Sequence, residues 1–175
     1  MATIDSYSSS YGDTTTLLIA GGSYHVGAGQ AFTLAQNTSL TSASFSLSPG
    51  GSPSGTIYAK LYAATGSVGS TATPTGSALA SGSINANTVS GKADYEITFS
   101  SPYVAGSGNY VVTCEYGDGN TNHYIQIYYD NSSPAHAGNY CDTVTGASWV
   151  ASSTKDLVFI LTGTLLKTNS FGYIF

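Results

Sequence analysis

The chain is short of charge, and positive charge is almost missing. Charged residues make up 7% of its 175 positions, against roughly 25% in an average soluble domain. There is no arginine, and the lysines (Lys60, Lys92, Lys155 and Lys167) are scattered along the sequence. A patch that neutralises phosphates cannot be assembled from them, which excludes nucleic acid as a partner. Nine carboxylates against four cations leave a net charge of -5, so solubility rests on Ser, Thr, Asn, Gly and tyrosine hydroxyls. Long apolar runs are missing as well. None approaches the ~20 residues of a membrane span, so membrane insertion is not expected. The N-terminus, MATIDSYSSSYGDTTTLL, lacks a basic stretch followed by an apolar one, and no secretory signal is visible in it. Surfaces of this polar, charge-poor kind are common on secreted, cell-surface and virion proteins.

The residues of catalysis are equally sparse. The three histidines, His25, His123 and His136, show no metal-ligand spacing such as HxxxH. Neither a GxSxG elbow nor a Walker loop is present. Asp94 and Glu96 share one face of a strand, where two carboxylates flanking a cleft could hydrolyse glycosides. On an open strand they read instead as a solvated pair, and no enzyme is expected. Cys114 and Cys141 permit one disulfide. Cys114 reads as a core position in mid-strand, Cys141 lies in the loop-like GNYCDTV, and the redox compartment decides whether they join. Two cysteines alone do not make a structural zinc site.

What the sequence does have is alternation. Tyr110–Asp130, YVVTCEYGDGNTNHYIQIYYD, reads as two strands around which the rest is organised. Tyr110, Val112, Cys114 and Tyr116 share one parity, and Val111, Thr113 and Glu115 the other. Ile125, Ile127 and Tyr129 then alternate with Tyr124, Gln126 and Tyr128. Gly117-Asp118-Gly119-Asn120 between them reads as a hairpin turn using positive φ. Ala43, Phe45 and Leu47 alternate with Ser42, Ser44 and Ser46, and Ile57, Ala59 and Leu61 with Tyr58, Lys60 and Tyr62. Residues 64–83 read as a long surface loop with a short strand near Ala78 to Ser81, and 131–153 as a second loop region. Asp156 to Thr164 is apolar on both parities, as an interior strand is.

No helical period appears. Short strands punctuated by Gly, Pro, Asn and Asp predict an all-β, antiparallel β-sandwich of jelly-roll type, with about eight to ten strands. Residues 1–27 form an N-terminal arm and first strand, 28–164 the sandwich, and 165–175 an apolar tail.

GQAFTL, SLTSASFSL, GSPSGTIYAKLYAATG, PTGSALA, GNYVVTCEY, IYYDNSSPAHAGNY and KDLVFILTG follow one another in order. Together these segments of 28–164 resemble a carbohydrate-binding-module-like jelly-roll domain found in bacteriophage structural proteins and environmental bacterial surface proteins. The shared motifs are fold-making glycines, prolines and strand residues. The resemblance implies binding or display and brings no catalytic residues. It also implies that a structural Ca2+ could be held by loop carboxylates, with Asp118, Asp130 and Asp142 in the right loops but not at EF-hand spacing. No other cofactor is required.

Tyr116, Tyr124, Tyr128, Tyr140 and Trp149 would form an aromatic platform for sugar rings, with His123, Gln126 and Asp130 bonding hydroxyls. The bland readings stand beside it: Tyr124 and Tyr128 could pack on a neighbouring subunit, and Trp149 could be a core or sheet-cover residue. Leu165, Leu166, Phe171, Tyr173, Ile174 and Phe175 would dock on a neighbour rather than face water. The expectation is therefore a non-enzymatic virion structural or display protein: a capsid decoration, head-fibre or tail-associated component. It would form homo-oligomers, contact other virion proteins and bind host-surface glycan. The alternative is a secreted carbohydrate-binding module or a cell-surface adhesion protein. Either places it on a virion surface or in the extracellular space.

Overall fold

The computed structural model describes residues 1–8, 13–17, 24–144 and 147–167. In chain order the strands are β1 (Ala2–Tyr7), β2 (Asp13–Leu17), β3 (His25–Leu34), β4 (Thr38–Gly50), β5 (Thr56–Thr65) and β6 (Thr73–Asn85). Then come β7 (Ala93–Ala105), β8 (Gly108–Tyr116), β9 (Tyr124–Asp130), β10 (Tyr140–Val144), β11 (Val150–Ser152), β12 (Asp156–Leu157) and β13 (Phe159–Leu165). A 3-10 turn, Ala86–Thr88, joins β6 to β7, and the Asn85 side chain caps its start by accepting from the Asn87 amide at 3.2 Å.

The fold is the expected all-β antiparallel sandwich, jelly-roll-like, with more strands than expected. The thirteen strands belong to one sheet, and the surplus over about ten is short pieces such as β11 and β12. That sheet curls until it closes. From β4 the ladder runs through β7, β6, β5, β8, β3, β2 and β9, and β9 returns to β4 at Leu47–Ile127. β13 pairs with the other half of the same β4 edge, and β1 covers β13. Val158 bridges the gap where β4 changes partner: its amide donates to Tyr128 O and its carbonyl accepts from Ser46 N. Among the described residues only β2 and β3 meet in parallel, at Leu17 and His25.

Inside the closed sheet lies one apolar core, which includes Phe32, Leu40, Phe45, Leu47, Ile57, Leu61, Ile97, Val112, Ile125, Ile127, Phe159 and Leu161. Period-two alternation puts these residues there, with Ser42, Ser44 and Ser46 of β4 on the other side beside Thr98, Glu96 and Asp94 of β7. A smaller cluster of Ala31, Ala72, Val111 and Cys141, with Ala64, Val68 and Trp149 against it, covers the outer side of β3 and β8. Buried Asn139 pins this cover. Its Oδ1 accepts from Gly69 N at 3.1 Å and Ala72 N at 3.3 Å, and its Nδ2 donates to Ala72 O at 3.0 Å.

Three sequence expectations are corrected. β8 and β9 are not a hairpin, because both edges of β8 are occupied by β3 and β5, while β9 pairs with β2, β4 and β12. Neither Gly117 nor Gly119 has positive φ. The reversal is instead an Asx turn, in which Asn120 Oδ1 accepts from the amides of Asn122 at 2.9 Å and His123 at 3.1 Å. Residues 73–85 are not loop but strand β6, paired with β5 over 73–75 and 80–85 on either side of a register shift. Gly76, at φ 70°, lies where the pairing register slips, which lets a Gly/Ser/Pro-rich segment stay in the ladder. The cysteine pairing, which the sequence leaves open, is settled separately: Cys114 and Cys141 are free and buried. They lie on adjacent rungs, paired with Ala28 and Gly29 of the β3 between them, so they point to opposite faces and cannot bond.

Candidate functional site

The aromatic platform does not assemble. Tyr116 and Tyr140 are each 1% exposed and belong to the core. Tyr116 follows the parity of Cys114 inward, and its hydroxyl donates to Ser54 O at 2.7 Å. Trp149 is a sheet cover: a Cβ on Gly27 would lie 2.8 Å from its ring. Tyr124, Gln126 and Tyr128 do share the outer row of β9, half-buried and already engaged. The Tyr124 ring lies on Gly50, where an added Cβ would be 2.1 Å away. Gln126 Oε1 accepts from Ser48 Oγ at 3.2 Å, and the Tyr128 hydroxyl lies 3.0 Å from Ser48 Oγ. Lys92 Nζ stands 4.0 Å from the centroid of the Tyr128 ring and occupies one of its faces. His123 Nδ1 accepts from Ser52 N at 3.0 Å.

The three loop aspartates are employed separately. Asp118 accepts from Thr56 N at 2.8 Å, and Asp142 lies 3.5 Å from His25 Nδ1. Asp130 is 4% exposed and takes Tyr7 OH at 2.6 Å, with the Ser132 amide and hydroxyl both at 2.8 Å. Among the described residues no three His, Cys, Asp or Glu side chains gather as a metal site would require. Leu165 is 55% exposed, and the Leu166 amide bonds Asn37 O at 2.9 Å. Phe171, Tyr173, Ile174 and Phe175 lie outside the described residues.

A constellation absent from the sequence reading occupies another part of the sandwich. There β1, the end of β3, the Val68 segment and residues 135–138 enclose a recess of ≈ 490 Å³. Its polar lining is Asp5, Ser6, Tyr7, Thr33 and His136, with Phe32 and Val68 as apolar surface. His136 is the hinge of this wall, with its side chain only 9% exposed. Its Nδ1 accepts from Gly138 N at 2.9 Å. Gln30 Nε2 lies 3.0 Å from the same nitrogen and 2.8 Å from Asp156 Oδ1. Gln30 Oε1 accepts from Leu157 N at 2.8 Å, which fixes the amide orientation and makes Nε2 a donor to both neighbours. A nitrogen that accepts a backbone N–H has no proton of its own. His136 is thus the neutral tautomer with its proton on Nε2, and it donates that proton to Asp5, whose two oxygens are both 3.1 Å away.

The network extends inward and sideways. Asp156 Oδ2 accepts from His136 N at 2.8 Å. Burial raises the Asp156 pKa, opposed by that bond and by the one from Gln30. Tyr7 is pushed up to about 12, first by burial and then by its bond to Asp130. The Tyr7 hydroxyl and the Ser132 donors in turn hold the Asp130 carboxyl well below the usual range. The result is a recess with one carboxylate held in place from behind by a buried imidazole. Both His136 nitrogens are committed, so the ring has no lone pair free to act as a base. The one local signal in the sequence was Gln30, a polar residue at a core position of an otherwise small and apolar strand.

No family model matches this chain, and no curated protein resembles it in sequence. A solved structure with a similar fold is that of the cysteine protease and lectin-like domains of Cwp84, a surface layer associated protein of Clostridium difficile. The TM-score is 0.55 at 18% identity, over 91% of this chain and 37% of that one. The likeness is one of fold, and this chain spans little more than a third of the other's length.

Proposed function

We propose that the protein is a non-enzymatic display module of an exterior surface that binds carbohydrate in the recess between β1 and residues 135–138. The observation that carries this reading is the Asp5 carboxylate, fixed by His136 and flanked by Ser6, Tyr7 and Thr33 in a recess of ≈ 490 Å³. A sugar offers adjacent hydroxyls that donate to a fixed carboxylate, while its C–H faces lie against Tyr7 and Val68. The fold shared with a structure that includes a lectin-like domain supports the reading, and so does the charge-poor surface.

Backbone amide spectra recorded during titration with simple methyl glycosides test it. Tyr7, Thr33 and Gly138 should shift, and Asp5→Ala should abolish the response. Tyr124→Ala and Tyr128→Ala should leave it intact. Shifts confined to the outer row of β9, or none in a folded protein, would sink the proposal.

In the fuller form of this reading the surface is a virion's, and the segment from Leu165 onward attaches the module. Light scattering on the full chain and on a chain ending at Thr164 separates the forms. A larger assembly for the full chain alone supports attachment by that segment, and two monomers of equal stability remove it.

A further inference from the structure

The recess is defined by its single charge as much as by its shape. Among the residues that line it, Asp5 is the only Asp, Glu, Lys or Arg. Among the described residues no lysine pairs with this carboxylate, and its one ion-pair neighbour is His136. The His136 ring facing Asp5 is neutral, because Nδ1 accepts from Gly138 N at 2.9 Å. The side chains beyond Tyr7 and His136 are further acids, Asp130 and Asp156, at 2.6 Å from the Tyr7 hydroxyl and 2.8 Å from the His136 amide. The chain has no arginine, and three lysines are placed elsewhere. Lys60 pairs with Glu115, Lys92 sits over Tyr128, and Lys155 lies over the rings of Tyr129 and Tyr140.

From this we infer that the site selects by charge, taking neutral and amino sugars and rejecting acidic ones such as uronic, sialic or sulfated residues. The inference deepens the proposed function and rests on it. A ligand hydroxyl or ammonium gains a charge-assisted bond to Asp5. A ligand carboxylate meets a like charge in a partly desolvated recess whose lining holds no lysine or arginine to offset it. Discrimination here is built as a penalty against the wrong ligand more than as a special contact to the right one.

The test uses the full chain and three matched probe sets: methyl glycosides of gluco, galacto and manno configuration, their uronate counterparts, and their 2-amino counterparts. Affinities are read from the Tyr7 and Gly138 amide shifts at constant ionic strength. Each uronate should bind at least about tenfold more weakly than its neutral partner, which is about 1.4 kcal/mol. The amino sugars should bind at least as well as the neutral ones. Asp5→Asn should close the gap to within about twofold. Thr33→Lys, at an exposed position of the lining, should favour the uronates while leaving Asp5 and its histidine untouched.

Uronates that bind at Tyr7 and Gly138 as tightly as neutral sugars overturn the selectivity and leave carbohydrate binding standing. An unchanged ratio in both variants does the same. If no probe moves those two amides in a folded protein, the carbohydrate reading of the recess falls, and the selectivity with it.

Discussion

Phe45, Ile97, Ile127 and Leu161 are fully buried, and so is Gln30, with Asp156 only 2% exposed. The two groups are held by different physics. The apolar set is stabilised by area removed from water and by close packing, neither of which depends on direction. Such a region tolerates a change of shape at a cost set by lost contacts and residual cavity. The Gln30, His136 and Asp156 set is stabilised only as long as each donor meets its acceptor, since an orphaned buried polar group costs far more than one bond contributes. One interior is forgiving and general, the other exacting and specific. The exacting one stands directly behind the recess, where His136 bonds the Asp5 carboxylate.

The sharpest way to break the contrast is a substitution that keeps volume and removes polarity. Gln30→Leu leaves the Leu157 amide without its acceptor and Asp156 Oδ1 without its donor. We expect a loss of about 3–5 kcal/mol in urea unfolding. A loss below about 1 kcal/mol would mean that the two interiors do not differ as described. Ile97→Val removes one methylene from the apolar set and should cost about 1 kcal/mol, with the fold and the Gly138 amide position unchanged. The pair of measurements compares a near-isosteric change with a real loss of volume, and the isosteric one should be the more damaging.

The smallest effect is confined to low pH. Asp130 is held below its unfolded value, so its contribution is present above the unfolded pKa of about 4 and is lost as pH falls below it. Tyr7→Phe removes the largest cause of that depression. The variant should be slightly less stable than the parent at pH 6 and should converge with it as pH drops toward 2. Unfolding midpoints at those two pH values decide the matter, and a constant gap at both would show that Tyr7 acts through packing alone.

How much of this was legible in the sequence follows the same division. Alternation placed Ala43, Phe45, Leu47, Ile57, Ala59 and Leu61 in the core, because a half-buried strand writes its inner face directly into parity. It also sent Tyr116 inward with Cys114, although the aromatic count suggested a platform. Strand pairing was less legible. Glycine and asparagine between β8 and β9 announce a reversal of direction, but which strands become neighbours depends on edges supplied by β3, β5 and β2 far away in the chain. Nor does parity show that β8 is covered on its outer side, since Ala72, Val68, Cys141 and Trp149 come from segments that read as loops. The recess was least legible of all. Asp5, Gln30, His136 and Asp156 are separated by more than a hundred residues at the extremes, and only closure of the sheet brings them together. Gln30, on the parity of Ala28, Phe32 and Leu34, is the one position where a polar side chain turned to the core could have been read.

The placement of the two thiols has a bearing on life outside a reducing compartment. Cys114 and Cys141 stand on opposite sides of the sheet, sealed from solvent, and burial raises both well above the range in which a thiolate forms. Oxidants reach neither sulfur while the strands stay paired, and the two cannot find each other. A folded chain with both thiols so placed needs no cysteine pairing to hold its shape, whatever the redox state around it.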